Sequence, residues 1–168
     1  LRVWKAAAHA SQLTGAAISL YLLDIPKYLW GDVLDILENS GADLSRVIIG
    51  HVENSRNTAN MDFFESLLKR GVYLQFDFLG TPLAYRNQEI NTLKSIKKLI
   101  DHGYSTQLLV SHDIFSKLHL TKFGGNGLTY VHSVFIPYLK SKGVDETDIR
   151  NIIEVNPRRL LTFVRPNV

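Results

Sequence analysis

The sequence predicts an α/β fold of consecutive βα units, half of a (β/α)8 TIM-type barrel. Three observations predict it. Short apolar runs rich in leucine or β-branched residues fall at residues 16–22, 47–52, 72–78 and 107–113, the composition of strands buried on both faces of a parallel sheet. Amphipathic stretches lie between them. Gly15, Gly41, Gly71 and Gly103 each follow such a stretch and precede the next run, at separations of 26, 30 and 32 residues. A barrel of about 250 residues uses about 31 per unit, so four units are visible. Periodicity alone leaves a four-stranded doubly wound sheet as the rival.

The elements follow in order. The chain opens inside an alanine-rich helix, Trp4 to Thr14, with no initiator methionine and no strand before it. The expectation is a fragment whose first half lies upstream. Leu29, Trp30, Val33, Leu34, Ile36 and Leu37 form one apolar stripe at three-to-four spacing. Met61, Phe63, Phe64, Leu67 and Leu68 form a second, and Ile90, Leu93, Ile96, Leu99 and Ile100 a third. The glycines read as helix stops, because glycine adopts the left-handed conformation at low steric cost.

Composition narrows the class. The chain has 168 residues, 45% apolar and 21% charged, enough for a sizeable core. No apolar stretch approaches the 18 or so residues of a membrane span, and no secretory signal opens the chain. The absence of cysteine removes any disulfide framework and fits a cytoplasmic location. The net charge of +3 is mild and its lysines are scattered, so no nucleic-acid or membrane partner is expected.

Two of the apolar runs end on metal-ligand residue types. Val47-Ile48-Ile49-Gly50 runs into His51, and Leu108-Leu109-Val110-Ser111-His112 runs into Asp113. The carboxyl ends of parallel strands are where α/β enzymes place their chemistry. Each residue also has a plainer reading. His51 alone could be a structural histidine, and Asp113 an N-cap for a following helix. Asp77 ends the third run and could support the pocket or form a turn. His112 and His119 are candidates for the pocket or for an ordinary loop. Gly124, Gly125 and Gly127 could cradle an anion or make a tight turn. His9, His102 and His132 read as helix-surface residues, and Asn156 before Pro157 as a helix start. No Gly-x-Ser-x-Gly elbow is present, so serine nucleophile chemistry has little support.

Longer segments carry a family resemblance. Ala42-Asp43-Leu44-Ser45-Arg46-Val47-Ile48-Ile49-Gly50-His51 resembles the approach to the sixth strand of the phosphotriesterase family, in the amidohydrolase superfamily. Gly71-Val72-Tyr73-Leu74-Gln75-Phe76-Asp77-Phe78-Leu79-Gly80 is similar to the seventh strand of its phosphotriesterase-related branch. Leu109-Val110-Ser111-His112-Asp113-Ile114 resembles the eighth, and Lys122-Phe123-Gly124-Gly125-Asn126-Gly127 the loop after it. Glu154-Val155-Asn156-Pro157-Arg158-Arg159-Leu160-Leu161 resembles the terminal helix. The match keeps its order over nearly the whole chain. On this resemblance residues 1–168 are the C-terminal portion of one barrel domain, about strands 5 to 8.

The resemblance implies a metal-dependent hydrolase that activates water at a divalent-metal site, zinc in most members, with two ions per full-length protein. His51 matches the sixth-strand ligand. Asp113 matches the eighth-strand aspartate, which binds metal and takes the proton of the attacking water. The first- and fourth-strand ligands lie outside this sequence. The fifth-strand histidine falls at Tyr21, and a neutral phenol is a poor zinc ligand beside imidazole; fewer than two metals, or an impaired catalyst, is the consequence. Tyr21, Asp77 and His112 are expected around the pocket. The expected partner is a small-molecule substrate with an ester, lactone, amide or phosphotriester bond. Two rivals remain: a barrel homologue that has lost metal binding, and a phosphate-binding barrel enzyme using the Gly124–Gly127 loop. Half a barrel leaves open sheet edges, so a homo-oligomer formed through them is a further expectation.

Overall fold

The computed structural model describes residues 1–54, 61–81 and 86–165. Four strands, β1 (Ile18–Leu20), β2 (Val47–Ile49), β3 (Tyr73–Phe76) and β4 (Leu108–Val110), form one sheet in the order β1-β2-β3-β4. Every pairing is parallel, in registers such as Ile18 with Val47, Ile48 with Tyr73 and Leu74 with Leu108. Sequence-order parallel strands with no strand inserted are what the half-barrel reading requires, and β1 and β4 are the two edges.

Helices α1 (Arg2–Thr14), α2 (Trp30–Asn39), α3 (Met61–Leu68) and α4 (Arg86–Asp101) precede the four strands in turn. Their apolar stripes meet the sheet. Trp30, Val33, Leu34 and Leu37 of α2, Phe64, Leu67 and Leu68 of α3, and Ile96, Leu99 and Ile100 of α4 are buried with Val47, Ile49, Leu74, Phe76 and Leu108. Ile90, placed on the α4 stripe by its spacing, is exposed instead; the stripe turns away from the sheet at that end. The four glycine stops all take left-handed backbone, with φ of 71, 87, 94 and 88°. At Gly15 the requirement is also steric, since a Cβ there would lie 1.8 Å from the Val164 carbonyl oxygen.

The opposite face of the sheet holds a smaller cluster of Ile48, Tyr73, Leu109 and Leu160. Leu160 comes from the last helix, and its neighbour Arg159 donates to the Tyr73 hydroxyl at 3.0 Å. After β4 the chain forms α5 (Ile136–Ser141), α6 (Glu146–Arg150) and α7 (Asn156–Leu161). Wide π-turns at Val131–Phe135 and Asn151–Val155 run into α5 and α7. Each lies just before a proline, Pro137 or Pro157, whose missing N–H breaks the regular bonding ladder.

Two polar side chains hold this end together. Arg46, nearly buried, donates through one guanidinium nitrogen to the carbonyls of Gly15, Leu160 and Thr162, tying the chain end to the amino edge of the sheet. Asn156 is fully buried and donates to the carbonyls of Ser105 and Leu108. Its role is a clamp on the start of β4 rather than a bare helix start. Among the described residues no helix is long and apolar enough to cross a membrane.

Candidate functional site

The strands are shorter than the apolar runs, because the chain leaves the ladder at its carboxyl edge. His51 has φ 54° and Asp113 φ 48°, and these two are the described non-glycine residues with left-handed backbone. That conformation costs on the order of 1–3 kcal/mol for an ordinary side chain and collects at functional sites. The two residues expected as ligands are therefore the two that hold strained backbone. The strain has a geometric use at His51. Along β2, Ile48 faces the small cluster, so alternation alone would aim His51 at the helices. The left-handed turn brings it instead against Asp77, which shares the face of Tyr73.

Asp77 is the hub. Its Oδ2 accepts the backbone N–H of His51 at 3.1 Å and the Gln75 amide at 2.8 Å. Its Oδ1 lies 2.7 Å from His51 Nδ1, a charge contact whose alignment falls short of a formed hydrogen bond. Gly50 permits the approach: a Cβ there would sit 3.3 Å from Asp77 Oδ2. Burial raises the Asp77 carboxyl above its ordinary range and Asp113 adds to the rise, while Gln75 and His51 oppose it. His51, Asp77 and Asp113 follow the carboxyl ends of the parallel neighbours β2, β3 and β4, which places all three on one edge. Tyr21 joins them, its ring edge-on to the His51 ring at 5.2 Å between centroids, and is 61% exposed. The Phe78 ring is also 5.0 Å from the His51 ring, tilted by 38°.

Glu53 is a residue the sequence did not single out. It follows His51 by two positions, is 1% exposed, and accepts the Phe78 N–H at 2.5 Å. Burial, with Asp77 as a second cause, raises its carboxyl to about 8, so it is largely protonated at neutral pH. An acid two residues after a strand-end histidine was the available signal.

His112 faces elsewhere. Its Nε2 accepts the Val131 N–H at 3.0 Å, seating the helical turn after the loop. Burial, and then His132, hold its pKa low, which keeps it the neutral acceptor that this bond needs. His119 is buried under Phe115, ring to ring at 4.6 Å. The glycine loop is a turn rather than an anion cradle: the N–H groups of Gly124, Gly125 and Gly127 donate to Thr121, Leu120 and His119 carbonyls. His9, His102 and His132 are exposed, as expected, and His102 pairs with Glu65 at 2.7 Å.

The donors suit a divalent ion in part. A histidine whose Nδ1 faces a carboxylate offers Nε2 outward, the usual support of a metal-ligating imidazole, and Asp113 supplies oxygen. Among the described residues no group of three or more His, Cys, Asp or Glu converges to hold a metal ion.

Parallel βα units with an imidazole and carboxylates on the carboxyl edge define the class: a barrel-type α/β protein with its chemistry at the strand ends. The chain belongs to the phosphotriesterase family, whose model matches residues 1–161. It is 35% identical over 95% of its length to the N-acetyltaurine hydrolase of Dictyostelium discoideum, covering 45% of that protein. Among solved structures it resembles a resiniferatoxin-binding protein from Rhodobacter sphaeroides, at TM-score 0.82 and 32% identity over 94% of this chain and 45% of that one. It also resembles the phosphotriesterase homology protein from Escherichia coli, complexed with phosphate in its active site, at TM-score 0.83 and 29% identity over 96% and 53%. The chain spans about half the length of the curated relatives it matches, as four of eight βα units would.

Proposed function

We propose that the protein is a metal-dependent hydrolase of the phosphotriesterase-related type that cleaves the amide of a small N-acyl substrate such as N-acetyltaurine. The observation that carries this reading is the placement of His51, Asp77 and Asp113 at the carboxyl ends of adjacent parallel strands, with left-handed backbone at the first and last. The similarity to N-acetyltaurine hydrolases supports the bond type. His51 and Asp113 would hold a divalent ion, zinc being the expected one. The remaining ligands would come from strands outside this sequence. Such an ion polarises the acyl carbonyl and moves the pKa of water towards about 7.

The residues of this chain have separate tasks. Asp77 fixes the His51 ring through its contact with Nδ1, leaving Nε2 as the donor. Asp113 takes the proton from the attacking water and returns it to the leaving amine nitrogen as the C–N bond breaks. Protonated Glu53 adds no negative charge beside Asp77. The products are the free acid and the amine.

A second reading, a catalytically impaired homologue, draws on Tyr21, whose phenol stands exposed where the family resemblance places a histidine. One experiment separates them. Zinc-loaded protein should release taurine from N-acetyltaurine, followed by NMR, and chelation or Asp113→Asn should lower the rate by more than about 100-fold. No release by the unmodified protein, or release indifferent to both changes, would overturn the hydrolase reading.

A further inference from the structure

Arg46 is a buried cation without a counter-charge. It is 8% exposed, and among the described residues no carboxylate pairs with its guanidinium within 4.0 Å. A buried ion ordinarily has such a partner, because leaving water without one is costly. Its Nη2 donates to the carbonyls of Gly15, Leu160 and Thr162. Its Nε is sealed from solvent and has no partner. Its Nη1 donates to none of the described residues, yet it is not sealed. That nitrogen is left free to bind something else.

The space for it is present. Arg46 lines a cavity of about 80 Å³ together with Gln12 of α1, Asp43, and Val164 and Arg165 near the chain end. Such a volume has room for several waters or for one small oxyanion. Gly41, also in the wall, makes way for the Gln12 amide: a Cβ there would sit 2.1 Å from Gln12 Nε2. Asp43 is the one acid in the lining, and its Oδ1 is engaged by the Ser45 N–H at 2.9 Å and hydroxyl at 2.7 Å. Two arginines against one carboxylate leave the cavity positive. It lies at the amino edge of the sheet, since Arg46 immediately precedes β2 whereas His51 follows the carboxyl end of that strand.

We propose that this cavity is a second binding site, for a phosphate-type dianion held by Arg46 and Arg165, remote from the strand-end residues and independent of the hydrolase reading. A planar guanidinium with free N–H groups suits an oxyanion, and two positive charges favour a dianion over a monoanion. Because Val164 and Arg165 form part of the wall, the bound ion fastens the chain end to α1 and to the start of β2. Its effect is therefore on stability rather than on bond cleavage.

The test titrates inorganic phosphate into the complete protein and follows Tm, with chloride at matched ionic strength as the reference. Phosphate at about ten times its Kd should raise Tm by about 3 °C more than chloride does. Gln12→Glu sets a carboxylate in the place of the amide, and Arg165→Gln removes the second charge. Both positions are exposed, so the fold should tolerate either change. In calorimetry each should weaken phosphate binding at least about 10-fold, whereas phosphate held at the strand ends would respond to neither. Binding that both variants keep, or a Tm shift no larger than that in chloride, would overturn the proposal. A shift in acetate as large as that in phosphate would refute the choice of a dianion.

Discussion

Asp77 grips His51 at two points, taking its backbone N–H at 3.1 Å on one oxygen and facing its Nδ1 at 2.7 Å with the other. The imidazole is thereby held in position beside the carboxylate. Removing the charge should loosen it without removing a ligand. Asp77→Asn is expected to weaken zinc binding about 10- to 100-fold, measured by titrating zinc into metal-free protein. Zinc affinity equal to that of the unmodified protein would show that Asp77 does not support His51.

Glu53 gives a pH signature. Its folded carboxyl keeps a proton up to about 8, against an ordinary value of 4.5. The folded state therefore binds more protons than the unfolded one across that window, so stability falls as pH rises from about 4.5 to about 8. Asp77, raised by its burial, adds to the same slope. Glu53→Gln keeps a neutral side chain at every pH and should flatten most of the decline. Urea midpoints of metal-free protein at pH 5, 6, 7 and 8 measure it; an equally steep decline in the variant would contradict the assignment.

Tyr21 sits edge-on to the His51 ring with its phenol exposed. The complete protein is expected to hold fewer than two equivalents of zinc tightly. Tyr21→His should raise zinc content and hydrolysis together. Elemental analysis that finds two tightly held ions per unmodified protein would refute this.

The architecture was readable because its signals are local. Val47-Ile48-Ile49 and Leu108-Leu109-Val110 are too apolar and too short for anything but buried strands, and the glycines at 15, 41, 71 and 103 end the helices where left-handed backbone is needed. His51, Asp77 and Asp113 were visible because each stands at the end of such a run. Glu53 was not, since a glutamate in a polar-looking segment reads as exposed until the fold packs it beneath Phe78 and Asp77. The bonds of Arg46, and the clamp that Asn156 makes beyond its expected place at a helix start, were not legible for the same reason: their partners lie 31 to 116 and 48 to 51 residues away in sequence. The strand ends were overdrawn by a few residues because composition does not register the left-handed turns at His51 and Asp113.

The sheet edges make a prediction about association. β1 and β4 each have one neighbour within this chain, which leaves rows of backbone donors and acceptors open to pairing. Residues 1–168 expressed alone should aggregate or pair with a second copy in light scattering. A monodisperse, cooperatively melting monomer would contradict this.

The most direct test places the metal. Crystals of the complete protein grown with zinc, measured at the zinc absorption edge, should show an anomalous peak at the strand ends. It should lie about 2.0–2.1 Å from His51 Nε2 and about 2.0–2.2 Å from an Asp113 carboxylate oxygen, with Asp77 still against Nδ1. Zinc bound only at other residues, or no peak with His51 and Asp113 ordered, would contradict the metal-dependent site.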